Sequence, residues 1–157
     1  MAAAMLRHAG PNVHITSAGT HSIPGLPMSA RTRTALGGFG VADPTHLSAQ
    51  LEQDMVDEAT LIAIFEPMHL SYMRKKHPAA VHKVASLPRI VRDLPDGDSA
   101  TLEQRLLELD LDFHTFEAWE EVIDPAGGDL AVFKQSAKEI HGLVRSFVHK
   151  VSTDAST

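Results

Sequence analysis

The sequence predicts an α/β fold, a parallel β-sheet with helices on both faces, and three observations carry that expectation. Short apolar stretches alternate along the chain with longer segments of helical period. One of them, "ATLIAIF" (59–65), is apolar throughout and only a few residues long, as a strand buried on both faces must be. The last long segment, roughly 128–151, steps by three and four through Leu130, Phe133, Ala137, Ile140, Val144, Phe147 and Val151, the stripe of a helix with one buried face.

The remaining elements follow in chain order. "NVHIT" (12–16) alternates Val13 and Ile15 with polar residues and runs into the turn-prone "SAGT", so it reads as a strand. "MSARTRTALGGFG" reads as a short helix closed by the glycines at 37, 38 and 40. "EPMHLSYMRKKHP" predicts a helix with Pro67 in its first turn and Arg74, Lys75 and Lys76 in its last, where the dipole favours cations. "HKVASL" (82–87) is a third strand. After the loop "DLPDGDSA", a helix is expected from about 100 to 119, with Leu102, Leu106, Leu109, Phe113 and Phe116 as its apolar face. Residues 1–151 read as a single domain and "STDAST" (152–157) as a disordered tail.

Composition narrows the function. The chain has 157 residues, enough for a proper core, and a net charge of -6, which argues against a nucleic-acid or anionic-membrane partner. No cysteine is present, so these residues hold no disulfide, thiolate metal site or cysteine nucleophile. No apolar run is long enough to span a bilayer, and "MAAAMLRH" lacks the apolar core of a secretory signal; the cytoplasm is the expected compartment. The ten histidines form no His-x-x-x-His or His-x-His pair, so neither a metal nor another cofactor is expected.

Parallel sheets bind ligands beyond the carboxyl ends of their strands. The loops expected there include "SAGTHSIPG", "EPMH" and "EEVIDPAGGDLAVF" (120–133). In the last, Asp124 precedes a ring-locked Pro125, two glycines and the start of a helix. By itself such an Asp is most simply a turn former.

Five segments in order, "ITSAGTHSIPGLPMSARTRTAL", "GVADPTHLSAQL", "LIAIFEPMH", "MRKKHP" and "DPAGGDLAVF", resemble the low-molecular-weight protein tyrosine phosphatases, from residue 1 to about 148. Cysteine-dependent arsenate reductases share that fold and are the near alternative. The resemblance implies a three-layer flavodoxin-like sheet and a phosphomonoester hydrolase acting on phosphotyrosine-containing protein. It implies Asp124 as general acid, Ile23, Leu26 and Pro125 as substrate-binding residues, and Ser17 and His46 as supports of a phosphate loop. Many members carry an aromatic just after the Asp-Pro; Ala126 and Gly127 stand here.

The family's Cys-x5-Arg phosphate loop has no counterpart in these residues, and the chain opens on words that follow that loop. The expectation is therefore an N-terminally truncated domain, inactive as it stands, whose first and central strand is missing. The edge left unpaired between 13–16 and 60–65 is then a place for a homodimer to form. A non-catalytic pseudophosphatase, serving as a binding or scaffold module, is the alternative function.

Overall fold

The structure, a computed structural model, describes residues 1–11, 13–96 and 100–152. Helices α1 (Ala2–Ala9), α2 (Ala30–Gly37) and α3 (Gln53–Glu58) precede strand β1 (Ile62–Ile64) and helix α4 (Pro67–Lys76). A 3-10 segment (Pro78–Lys83), strand β2 (Val84–Ser86), helices α5 (Leu87–Asp93) and α6 (Leu102–Leu107), a 3-10 turn (Ala118–Glu120) and helix α7 (Leu130–Ser152) complete the order. The described residues form two compact units: Met1–Leu51 with Val122–Val148, and Glu52–Glu121 with 149–152.

The second unit holds the sheet. β1 and β2 pair in parallel with Ile62 opposite Val84, Ala63 opposite Ala85 and Ile64 opposite Ser86. All three residues of β2 are buried, as expected of a strand covered on both faces. Helix α4 starts on Pro67, whose missing N–H costs nothing in a first turn. Ser86 ends β2 and caps α5, its hydroxyl accepting the Arg89 amide at 3.0 Å. Thr101 and Gln104 close a capping box at the start of α6.

In the first unit, α1 ends on Gly10 in the left-handed region (φ 69°) and α2 begins on Ser29, whose hydroxyl accepts the Thr32 amide at 3.1 Å. Helix α7 buries Phe133, Ala137, Ile140, Val144 and Phe147, five of the seven stripe residues read from the sequence. No helix among the described residues is long and apolar enough to cross a membrane.

Three expectations change. Residues 13–16 form no strand: the Val13 amide turns back to the Pro11 carbonyl at 2.8 Å, and the Ile15 carbonyl accepts from Arg7 at 3.1 Å. A strand exists only where a neighbour satisfies its amides and carbonyls, and none among the described residues does so. Residue 12 of that segment lies outside them. The strands expected at 59–65 and 82–87 are real but shorter, three residues each. The helix expected over 100–119 is broken: it stops at Leu107, and Asp110 takes a positive φ of 46°, which its short polar side chain tolerates. Phe113, placed on the apolar face by spacing, is 87% exposed. Of the expected tail, Ser152 closes α7 and residues 153–157 lie outside the described residues.

Candidate active site

The loop around Asp124 is shaped by its own sequence. The Asp124 carboxylate accepts the Ala126 amide at 2.9 Å, an Asx turn. The Gly128 amide then closes on the Pro125 carbonyl at 2.9 Å, with Gly127 at φ 77°, the left-handed position that a type II turn gives to glycine. Asp129 ends the loop by capping α7, its carboxylate accepting the amides of Ala131 at 2.9 Å and Val132 at 3.1 Å. Negative charge is favoured at that helix N-terminus. Asp124 itself is exposed and held at the head of two consecutive turns.

The loop joining Gly19 to Pro27 is stitched to residues 47–51. Gly19 bridges Gln50 in parallel and Pro27 bridges Leu47 in antiparallel register. Ser48 works in both directions: its hydroxyl donates to the Ile23 carbonyl at 2.6 Å and accepts the Leu26 amide at 3.0 Å. Gln50 accepts the Ser22 amide at 2.9 Å and donates to the Thr20 carbonyl at 3.1 Å. These bonds hold Ile23 and Leu26 outward, 71% and 52% exposed, although burial would favour both side chains. An open cleft of about 490 Å³ lies beside them, with His46, Ser29 and Thr32 also on its wall.

Of the six residues singled out in the sequence, the structure brings Ile23, Leu26 and His46 to this cleft. Asp124, Pro125 and Ser17 do not line it. Ser17 is exposed. His46 sits on a turn, its amide donating to the Asp43 carbonyl at 3.3 Å. Asp43 pairs with Arg7 at 2.6 Å, and that guanidinium holds its carboxyl below the ordinary range against an opposing effect of burial. Among the described residues, no group of three or more His, Asp or Glu side chains is placed to hold a metal.

Ser48, Gln50 and Arg31 escaped the sequence reading. Arg31 donates from Nη1 to the Gly128 carbonyl at 3.0 Å, tying α2 to the loop of Asp124. Only one of them left a trace in the sequence: a cation in the first turn of α2 with no acid beside it.

No protein-family model matches the chain. It is 26% identical over 155 residues to a protein-arginine-phosphatase of Geobacillus stearothermophilus, covering 98% of this chain and 88% of the relative. It is 29% identical over 87 residues to a probable low molecular weight protein-tyrosine-phosphatase, EpsP, of Ralstonia nicotianae, covering 55% of this chain and 60% of that one. The solved YwlE arginine phosphatase from Geobacillus stearothermophilus superposes with a TM-score of 0.76 at 23% identity, over 98% of this chain and 84% of its own, a likeness of fold. Fold and relatives together define a protein-phosphatase-like α/β domain. More narrowly, the chain is similar to the low-molecular-weight protein tyrosine phosphatases, through a probable member over about half of its length and a protein-arginine-phosphatase over nearly all of it.

Proposed function

We propose that residues 1–151 act as one phosphatase-like domain for a phosphorylated protein, with Asp124 as the general acid that protonates the leaving group. The observation that carries this reading is the loop itself: an exposed carboxylate fixed by two turns at the head of α7. In this chemistry a thiolate attacks phosphorus, the bond from phosphorus to the side chain (P–O in phosphotyrosine, P–N in phosphoarginine) breaks, and the departing oxygen or nitrogen takes the acid's proton. The same carboxylate, now ionised, takes a proton from the water that hydrolyses the phosphocysteine.

Ile23 and Leu26 are proposed as the wall against which the phosphorylated side chain lies, with Pro125 beside the acid and Ser17 and His46 supporting the phosphate loop. Phosphotyrosine is the substrate side chain in the first reading. A second, phosphoarginine, is favoured by one observation: no Phe, Tyr or Trp lines the cleft, and Ala126 and Gly127 follow the Asp-Pro, so none of these rings stands there to face a tyrosine. The protein-arginine-phosphatase relative fits that reading.

Because the 157 residues contain no cysteine, they have no thiolate of their own, and we propose that they are inactive alone. The test is an assay of this chain with an aryl phosphate and with phosphotyrosine and phosphoarginine peptides. Turnover above background would overturn the proposed roles. With a strand and a Cys-x5-Arg-Ser-Pro loop joined ahead of residue 1, activity should appear, and the ratio of the two peptides decides the side chain.

A further inference from the structure

Arg31 stands in the first turn of α2, where unpaired amides already create a positive pole. That turn contains no acidic side chain to offset a second positive charge. The guanidinium reaches instead to a residue 97 positions away, donating from Nη1 to the Gly128 carbonyl at 3.0 Å. This carbonyl lies between the turn that follows Asp124 and the Asp129 cap of α7.

Gly128 has little freedom to move. A Cβ there would sit 2.9 Å from the Val132 Cβ and 3.1 Å from the Pro125 carbonyl oxygen, inside normal contact. The loop is thus packed closely against the first turn of α7 and tied by Arg31 to the first turn of α2. The neighbours of Arg31 in that turn, Ser29 and Thr32, line the cleft beside Ile23 and Leu26. One side chain therefore connects the acid loop to the cleft wall.

We propose that Arg31 is a positioning residue: by holding the Gly128 carbonyl it sets the separation between Asp124 and the wall formed by Ile23 and Leu26, without touching substrate. The importance of that separation rests on the general-acid role of Asp124; the tether itself does not.

The chain as it stands allows a direct test, because without cysteine it takes site-specific spin labels cleanly. Labels at Ile23→Cys and Ala126→Cys report the separation, and amide hydrogen exchange at Ala126 and Gly128 reports the loop. In Arg31→Ala the distance distribution should broaden and the two amides should exchange about tenfold faster, the effect of losing one hydrogen bond. The Leu36 and Ile140 amides and the thermal midpoint should not change. Arg31→Lys should recover most of the effect, since an ammonium can still donate once to the carbonyl. Unchanged distances and exchange in Arg31→Ala would overturn the proposal, as would faster exchange spread evenly through α2 and α7, which marks a general stabiliser. An Arg31→Lys variant as loose as Arg31→Ala would overturn it as well. No activity is read, so failure of Asp124 as the acid would leave this result standing, and an unaltered loop would leave Asp124 untouched.

Discussion

Arg89 and Glu120 form a two-point ion pair inside the second unit: Nε donates to Oε2 at 2.9 Å and Nη2 to Oε1 at 2.5 Å. The Glu120 side chain is fully buried. Its remaining acceptor capacity is filled by the Ser86 hydroxyl at 2.5 Å and the Glu117 amide at 2.9 Å. Arg89 also donates to the Thr115 carbonyl, and Arg92 lies 3.6 Å over the Trp119 ring. A carboxylate so enclosed is stable only because each oxygen is paired.

Removing one partner of that pair should cost more than the pair contributes. Glu120→Ala leaves the Arg89 fork and the Ser86 hydroxyl without their acceptor, and should destabilise the chain by about 3 kcal/mol. Urea denaturation measures this. A loss below about 0.5 kcal/mol, the range of an ordinary surface substitution, would show the network to be dispensable. Replacing Arg89 and Glu120 together by apolar residues should cost less than the sum of the two single changes, because no charge is then stranded.

The same pair predicts an acid limb in stability. Burial alone would raise the Glu120 carboxyl, but the bonds from Arg89, Ser86 and the Glu117 amide outweigh it and hold the group below its ordinary 4.5. A carboxyl depressed in the folded state contributes stability that is present above its unfolded value and lost as pH falls through the folded one. Unfolding free energy should therefore decline below about pH 4.5, and Glu120→Gln should flatten part of that decline. An identical acid limb in Glu120→Gln would assign it to other carboxylates, with Asp43 the first to examine.

Gly128→Ala tests the packing of the loop that carries Asp124. The new Cβ would force the Val132 side chain or the Pro125 carbonyl aside, and the strain should cost about 1–3 kcal/mol. Heating with a far-ultraviolet circular dichroism readout detects it as a lower midpoint. A midpoint equal to that of the parent chain would mean that the loop relaxes freely and that its geometry is not held.

The proposed proton donation by Asp124 predicts a dependence on the leaving group. In a protein completed with a nucleophile loop, Asp124→Asn should slow turnover of a poor leaving group by about 10²–10⁴-fold. The loss should shrink as the leaving group improves, because a stable phenolate needs less protonation. Phosphate binding should be unchanged, since the proposed role of Asp124 is proton donation and not contact with the phosphoryl oxygens. A rate unaltered by Asp124→Asn with a poor leaving group would remove Asp124 from the mechanism.

Much of this was determined by the sequence alone, wherever the cause is local. The 3–4 stepping from Leu130 to Val151 produces α7, because a helix must turn one face inward every 3.6 residues. Pro67 and the cations at 74–76 bound α4, and the Asp-Pro-Ala-Gly-Gly run shapes the loop at 124–128, since each residue acts on its own φ or on an amide two positions away. What only the tertiary structure decided depends on partners far along the chain. Val13 and Ile15 alternate like a strand but find no ladder among the described residues, and Leu109, Phe113 and Phe116 continue a helical spacing that Asp110 breaks at φ 46°. The outward set of Ile23 and Leu26 comes from Ser48, the tether on Gly128 from Arg31, and the burial of Glu120 from Arg89. A hydrogen bond between residues 25, 31 or 97 positions apart leaves no periodicity in the residues between them, so folding alone brings these pairs together.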